Sequence, residues 1–413
     1  MQLFVIFSLL LVCFIIQRTS SQTTPGISIQ NVIARAVDDY KDENYEDCIK
    51  GFEAGLVHWR MLKHIDTTCG LRCKNLNISK EIGINMDGFD ELIAYGNILA
   101  QANCIKLCKE EHPFTKSKIQ RPSDDFVADF DTREPYNYLQ FAYYKTGMIR
   151  KACQAAHTNY QVNSDDKQMR DNIAYYKGLD GVSDDYFKDL EGNPYNEHIV
   201  DAVDFYENKQ YEEAIDSFEK ALLDYLKVHD ECETLCYNSE LPTFFYRFPQ
   251  SVVLKYIPVI ECVENCGKKL RPLVRGDLMD NLVQKVYQYL QFSYYQLGKW
   301  GMAVPAAVSA LLLHPEDEIT QNNVRFYRDN AEEHGLKLDI HFLPRPEAVK
   351  YNFERMTNEK LVEMMQKAVD VDDQGEVEES EIQTDEEFGD EMMKEITKQV
   401  TLQLGNKLRG DIG

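Results

Sequence analysis

The chain has 413 residues, 44% of them hydrophobic and 11% aromatic, enough to bury a sizeable core in two or three domains. Its 69 acidic residues outnumber 45 Lys and Arg, giving a formal net charge of -24, which excludes a nucleic-acid partner because phosphates demand cations.

The first element is the apolar run LFVIFSLLLVCFII, residues 3–16, followed by small polar residues. Its length and flanks predict a signal peptide over residues 1–21 with cleavage near Gln22, a signal anchor being the alternative. Nothing later is long and apolar enough to span a bilayer, so the mature chain is expected to be lumenal or extracellular, without membrane insertion. Cleavage removes Cys13 and leaves ten of the 11 cysteines, an even number suited to an oxidising compartment. Asn77-Ile78-Ser79 is a glycosylation sequon that this compartment would use.

A repeat begins at Ala36. AVDDYKDENYEDCIKGFEAGL, Ala36 to Leu56, matches AVDFYENKQYEEAIDSFEKAL, Ala202 to Leu222, at an offset of 166. The cysteine pairs of the two halves follow at offsets of 163 and 158, and YLQFAYYKTG (Tyr138 to Gly147) returns as YLQFSYYQLG (Tyr289 to Gly298) at 151. Offsets that fall in chain order mean one duplicated unit with shortened loops. The expected organisation is a first helical unit over 22–177, a connector over 178–197, a second unit over 198–352 and an acidic tail over 353–413.

Inside each unit the spacing is helical. Ala202, Phe205, Ala214, Ile215, Phe218, Ala221 and Leu222 recur at three- and four-residue steps, placing them on one face. Lys209-Gln210 and Gly298 are the expected hairpin turns, and Pro315 ends a helix. Tyr211 or Trp300, then Ala214 or Ala303, then Phe218 or Ala307 resembles the tetratricopeptide repeat, from which Pro305 departs. The predicted fold is therefore all-α, a tetratricopeptide-like helical-hairpin solenoid built from a duplicated unit.

Four Cys-x-x-x-Cys pairs staple it. Cysteines four apart share a helix face and are poorly oriented to bond each other, whereas two antiparallel helices bring outer and inner cysteines together as rungs. This predicts Cys69 with Cys108, Cys73 with Cys104, Cys232 with Cys266, and Cys236 with Cys262. Two four-thiolate zinc sites are the alternative, against which stand the oxidising compartment and the wide spacing. Cys48 and Cys153 are replaced together by Ala214 and Val304 in the second copy, which fits either a fifth disulfide or two free thiols.

Catalytic constellations are scarce. His64-Ile65-Asp66 has the His-x-Asp spacing of an iron site, but those sit on strands and this stretch reads as helix. His229-Asp230-Glu231 and His314-Pro315-Glu316 lie at helix ends, and no phosphate loop, nucleophile elbow or zinc-protease motif occurs, so neither an enzyme nor a cofactor is expected. The tail holds a calcium-loop spacing at Asp370, Asp372, Gln374, Glu376, Glu378 and Glu381, for which a solvated acidic tail is the competing reading. The closing Arg409-Gly410-Asp411 is a short integrin-type tripeptide with nothing around it to support that role.

The paired Cys-x-x-x-Cys helices, the YLQFAYY helices and the stretch HFLPRPEAVKYN, His341 to Asn352, together resemble the leprecan family over roughly Ile29 to Asn352. That family includes prolyl 3-hydroxylases, whose iron and 2-oxoglutarate domain follows this region, and non-catalytic relatives; an acidic tail in that place resembles the latter. The resemblance implies a helper subunit in the endoplasmic reticulum lumen, bound to a prolyl 3-hydroxylase and cyclophilin B and handling unfolded procollagen chains. Stacked hairpins are expected to offer a concave surface for such a chain. Tyr40, Phe141, Tyr144, Tyr206, Phe292 and Tyr295 are the candidate grip, with core packing as the other reading of an aromatic stripe. The chain has no Lys-Asp-Glu-Leu ending, which leaves open a secreted protein acting in the extracellular matrix, and the calcium-loop spacing leaves open a calcium-binding regulator.

Overall fold

A computed structural model of the chain describes residues 28–74, 90–112, 123–237, 248–275 and 277–370. The signal region, Asn77, the calcium-type loop past Asp370 and the Arg409-Gly410-Asp411 tripeptide lie outside the described residues.

Among the described residues there are fifteen α-helices and one short ladder. In the first copy these are α1 (Ile29–Lys41), α2 (Tyr45–Cys73), α3 (Asp90–Glu111), α4 (Asp124–Asp131), α5 (Glu134–Lys145), α6 (Ile149–Tyr160) and α7 (Lys167–Lys177). The second copy follows with α8 (Pro194–Glu207), α9 (Tyr211–Cys236) and α10 (Phe248–Lys269), then an antiparallel pair β1 (Leu273–Val274) and β2 (Asp277–Leu278). It continues with α11 (Leu282–Gln296), α12 (Trp300–Leu313), α13 (Glu318–Asp329), α14 (Leu338–His341) and α15 (Pro346–Asp370). The helical content and the disulfides between helices are those the duplicated, periodic sequence predicts.

Among the described residues, four helix-to-helix turns close by one device. After α1 the N–H of Asn44 reaches back to the carbonyl of Asp39 (2.8 Å) and that of Glu43 to Tyr40 (3.2 Å), with Glu43 at φ 59°. After α8, α5 and α11 the same bonds run from Gln210 to Phe205 (2.9 Å), Met148 to Tyr143 (2.8 Å) and Lys299 to Tyr294 (2.9 Å). The left-handed residue is Lys209, Gly147 or Gly298. This closure satisfies the last carbonyls of the first helix and reverses the chain into the second.

The chain divides into two compact units, Met1–Leu62 with Glu110–Glu191, and Lys63–Lys109 with Gly192–Gly413. The boundary falls inside α2, so the unit division does not follow the duplication. In the first unit α1, the start of α2 and α4 to α7 bury Phe52, Leu56, Trp59, Tyr136, Leu139 and Ala152. In the second, α8, α9 and α11 to α13 bury Ile199, Phe218, Leu222, Tyr287, Leu290 and Ala307. Alanines at the crossings, Ala202, Ala214, Ala306 and Ala307 at 0% exposure, let the helices approach closely.

Both cystine clamps belong to the second unit. Cys69 bonds Cys108 and Cys73 bonds Cys104 between α2 and α3, with Cα atoms 5.7 and 5.9 Å apart. Cys232 bonds Cys266 and Cys236 bonds Cys262 between α9 and α10, at 5.9 and 5.7 Å. Closing loops of this length removes roughly 3–4 kcal/mol of chain entropy from the unfolded state for the first rung of each clamp, and less for the second, which closes a loop already shortened. Cys48 and Cys153 are not joined. Each is a buried free thiol at 0% exposure, packed as a small apolar side chain where the second copy has Ala214 and Val304, so the fifth disulfide is corrected to two thiols.

Two other expectations shift. Residues 353–370, assigned to the acidic tail, are helical as the end of α15, and Leu361 and Val362 pack against Tyr95 of α3 and Ile260 of α10. The connector is shorter than 178–197, because α8 begins at Pro194. Its Asp189 and Glu191 are held by Arg133 (2.9 Å) and Arg60 (2.6 Å).

Candidate functional site

In α5 the step of three from Phe141 to Tyr144 sets both rings on one helix face, while Tyr143 turns inward. The buried Tyr143 hydroxyl donates to Glu53 of α2 (2.7 Å), as Tyr294 of α11 donates to Glu219 of α9 (2.8 Å). Next to it, the Tyr176 hydroxyl of α7 donates to Gln140 (2.6 Å), and Tyr327 of α13 to Gln291 (2.8 Å). These paired bonds fix the rotation of the helices that carry the outward rings.

Those rings form a row in each unit. In the first the order is Tyr40, Phe141, Tyr144, Tyr175, with successive centroids 6.0, 6.5 and 5.7 Å apart. In the second it is Tyr206, Phe292, Tyr295, Phe326, at 5.8, 6.3 and 5.9 Å. Edge-to-face contacts with Tyr45 and Tyr138, or with Tyr211 and Tyr289, support each row from behind. Beneath them Phe52 stacks on Tyr138 and Phe218 on Tyr289. The first three rings of each row are half-buried, and the last are exposed, Tyr175 at 53% and Phe326 at 44%. Burial pushes the Tyr206 phenol up to about 12 and raises that of Tyr40, so both hydroxyls stay protonated.

The structure thus joins all six sequence-predicted aromatics, three to a unit, and adds Tyr175 and Phe326. That last pair also obeys the offset of 151, a signal present in the sequence but diluted where AYYK has become RFYR. The rows differ at their margins. Trp300, where the first copy has Ile149, widens the second row, 5.4 Å from Tyr295 and 5.7 Å from Phe326, and stacks on His334 at 3.5 Å. On the first row the Lys145 ammonium lies 5.2 Å over the Phe141 ring.

The HFLPRPEAVKYN stretch has a structural role. Arg345 forks onto Glu219 (2.6 and 2.8 Å) and Glu347 (2.5 Å), and its backbone N–H donates to Ser309 (2.8 Å), tying the start of α15 to α9 and α12.

A charge cluster that sequence reasoning missed lies elsewhere in the second unit. The Lys74 ammonium, next to the Cys73 rung, meets Asp230 (2.6 Å), Glu233 (2.7 Å) and Glu354 (3.4 Å), and Lys350 reaches Asp230 (2.9 Å). Burial works to lower the Lys74 ammonium, but Glu233 and Asp230 outweigh it and hold it raised. The three carboxylates offer oxygens within 4.8 Å of one another, a metal-like arrangement whose cation is the protein's own lysine. His64 is exposed on α2, and Asp66 of the same His-x-Asp pairs with Lys109 (2.7 Å).

The profile of the leprecan family TPR-like repeat region matches residues 28–331. The chain belongs to the leprecan family. It is 34% identical over 349 residues to human cartilage-associated protein, covering 84% of this chain and 86% of that one. Human endoplasmic reticulum protein SC65 is 29% identical over 350 residues, 84% of this chain and 79% of its own. Human prolyl 3-hydroxylase 2 is 32% identical over 299 residues, 70% of this chain but 42% of the hydroxylase. The matched region carries both cystine clamps and both aromatic rows.

Proposed function

We propose that this leprecan is a non-enzymatic helper subunit of a collagen prolyl 3-hydroxylation complex in the endoplasmic reticulum. It would bind the hydroxylase and a cyclophilin and present unfolded procollagen to them. The observation that carries this reading is the extent of similarity to cartilage-associated protein, 84% of this chain and 86% of that one. The name of the SC65 relative supports the compartment. Cystine clamps suit an oxidising lumen.

The aromatic rows give the presentation role a physical basis. A collagen chain before folding is rich in polyproline-type segments, which dock on aromatic surfaces because their backbone is already extended and loses little entropy on binding. The test is assembly from purified parts: the disulfide-intact chain should co-elute with a prolyl 3-hydroxylase, and with hydroxylase plus cyclophilin, as species of summed mass by light scattering. Separate elution of all three at micromolar concentration would contradict the proposal.

A further inference from the structure

We propose that each unit has its own site for a proline-rich segment, so that one unfolded chain is held at two points. This rests on the reading of the rows as the collagen-binding surface and goes beyond it in number and rank of sites. The ring-to-ring spacings of the two rows differ by 0.2 Å at every step, 6.0 against 5.8, 6.5 against 6.3 and 5.7 against 5.9 Å.

Packing explains the first three rings of each row but not the fourth. Tyr175 and Phe326 are exposed at 53% and 44%, yet the position is aromatic in both copies. Other exposed positions at the same offset have changed chemistry, Gln168 against Ile319 and Lys151 against Met302. An exposed ring kept through the divergence of two copies, at the end of a half-buried row, points to a ligand.

Size and chemistry identify the ligand. Each row is at most about 18 Å long, about two turns or six residues of polyproline II at 3.1 Å per residue. One row therefore grips a short segment, and two rows need two segments. Proline has no N–H, so a segment of this kind brings acceptors but few donors. The hydroxyls of Tyr144 and Tyr175, 2.8 Å apart, supply a donor on the first row. On the second row Trp300 adds ring surface where the first copy has Ile149, which makes the second row the tighter site.

The test uses the full, disulfide-intact chain and synthetic oligoproline probes, which stay monomeric. One probe is a single nine-residue oligoproline; the other joins two of these through Gly/Ser linkers of graded length. The expected result is two single segments bound per chain and a tandem probe that binds at least about tenfold tighter at the best linker length. Tyr175→Ala and Phe326→Ala, at exposed positions that leave folding intact, should each weaken one site, erase most of the tandem gain and spare the other site. Phe326→Ala should cost more. One segment per chain, or a tandem probe no tighter at any linker length, would overturn the two-site proposal while leaving a single collagen-binding row standing. No binding of either probe would overturn the row reading and this inference with it.

Discussion

Glu43 and Lys209 hold the left-handed backbone that Gly147 and Gly298 hold at the later turns. A Cβ added at Gly298 meets nothing within 4 Å, so only backbone strain opposes it. Gly298→Ala should destabilise the chain by about 1 kcal/mol, read from urea unfolding. Lys209→Gly should change stability by less than ~0.5 kcal/mol, because relief of strain and the greater freedom of the unfolded chain offset each other. A loss from Lys209→Gly as large as that from Gly298→Ala would mean that contacts of the Lys209 side chain, not the left-handed turn alone, hold its hairpin. Gly298 was legible as a turn from its place after YLQFSYYQL. The left-handed Lys209 was not, because lysine carries no local signal for that conformation.

At the scale of elements, the cystine rungs could be read from the sequence because cysteines four apart on antiparallel helices admit one sensible pairing. The reach of α15 was misplaced. The acidic run begins only at Asp370, so 353–369 belongs with the helix before it, and Leu361 and Val362 there meet Tyr95 and Ile260 from distant parts of the chain. Lys74 was hidden, since its partners stand more than 150 positions away.

This cluster gives α9 and α15 a pH dependence. His229 of α9 lies between Tyr225 and Tyr351 with Glu233 at 3.5 Å, and burial, reinforced by Lys74, pushes it down to about 4, with Asp230 and Glu354 opposing. The unfolded chain takes up this proton near 6.5 and the folded one near 4, so acidification through that window favours unfolding, by about 2 kcal/mol at pH 5. Glu233 and Glu354, raised by burial, bind protons more readily when folded and recover part of the loss. His229→Gln should therefore shrink the fall in unfolding free energy between pH 7 and pH 5. An unchanged fall would show that His229 is not the group responsible.

Over the whole molecule, duplication explains most of what the sequence disclosed. Two copies of each hairpin, clamp and aromatic row can be checked against each other without a second protein, and the offset of 151 carries from Tyr138 as far as Phe326 and Tyr327. What duplication does not disclose is how the copies have diverged. Trp300 in place of Ile149 and two free thiols in place of Ala214 and Val304 are visible as substitutions, but their consequences depend on packing. The unit boundary inside α2 is hidden for the same reason.

On the proposed reading these rows hold substrate for an enzyme on another chain. The most direct measurement is 3-hydroxyproline formation in heat-unfolded procollagen by a purified prolyl 3-hydroxylase, with and without this chain. No product should form with this chain alone, more should form when both are present, and the Tyr175→Ala, Phe326→Ala double variant should forfeit most of that gain while still co-eluting with the hydroxylase. Product from this chain alone, or full stimulation by the double variant, would contradict the account.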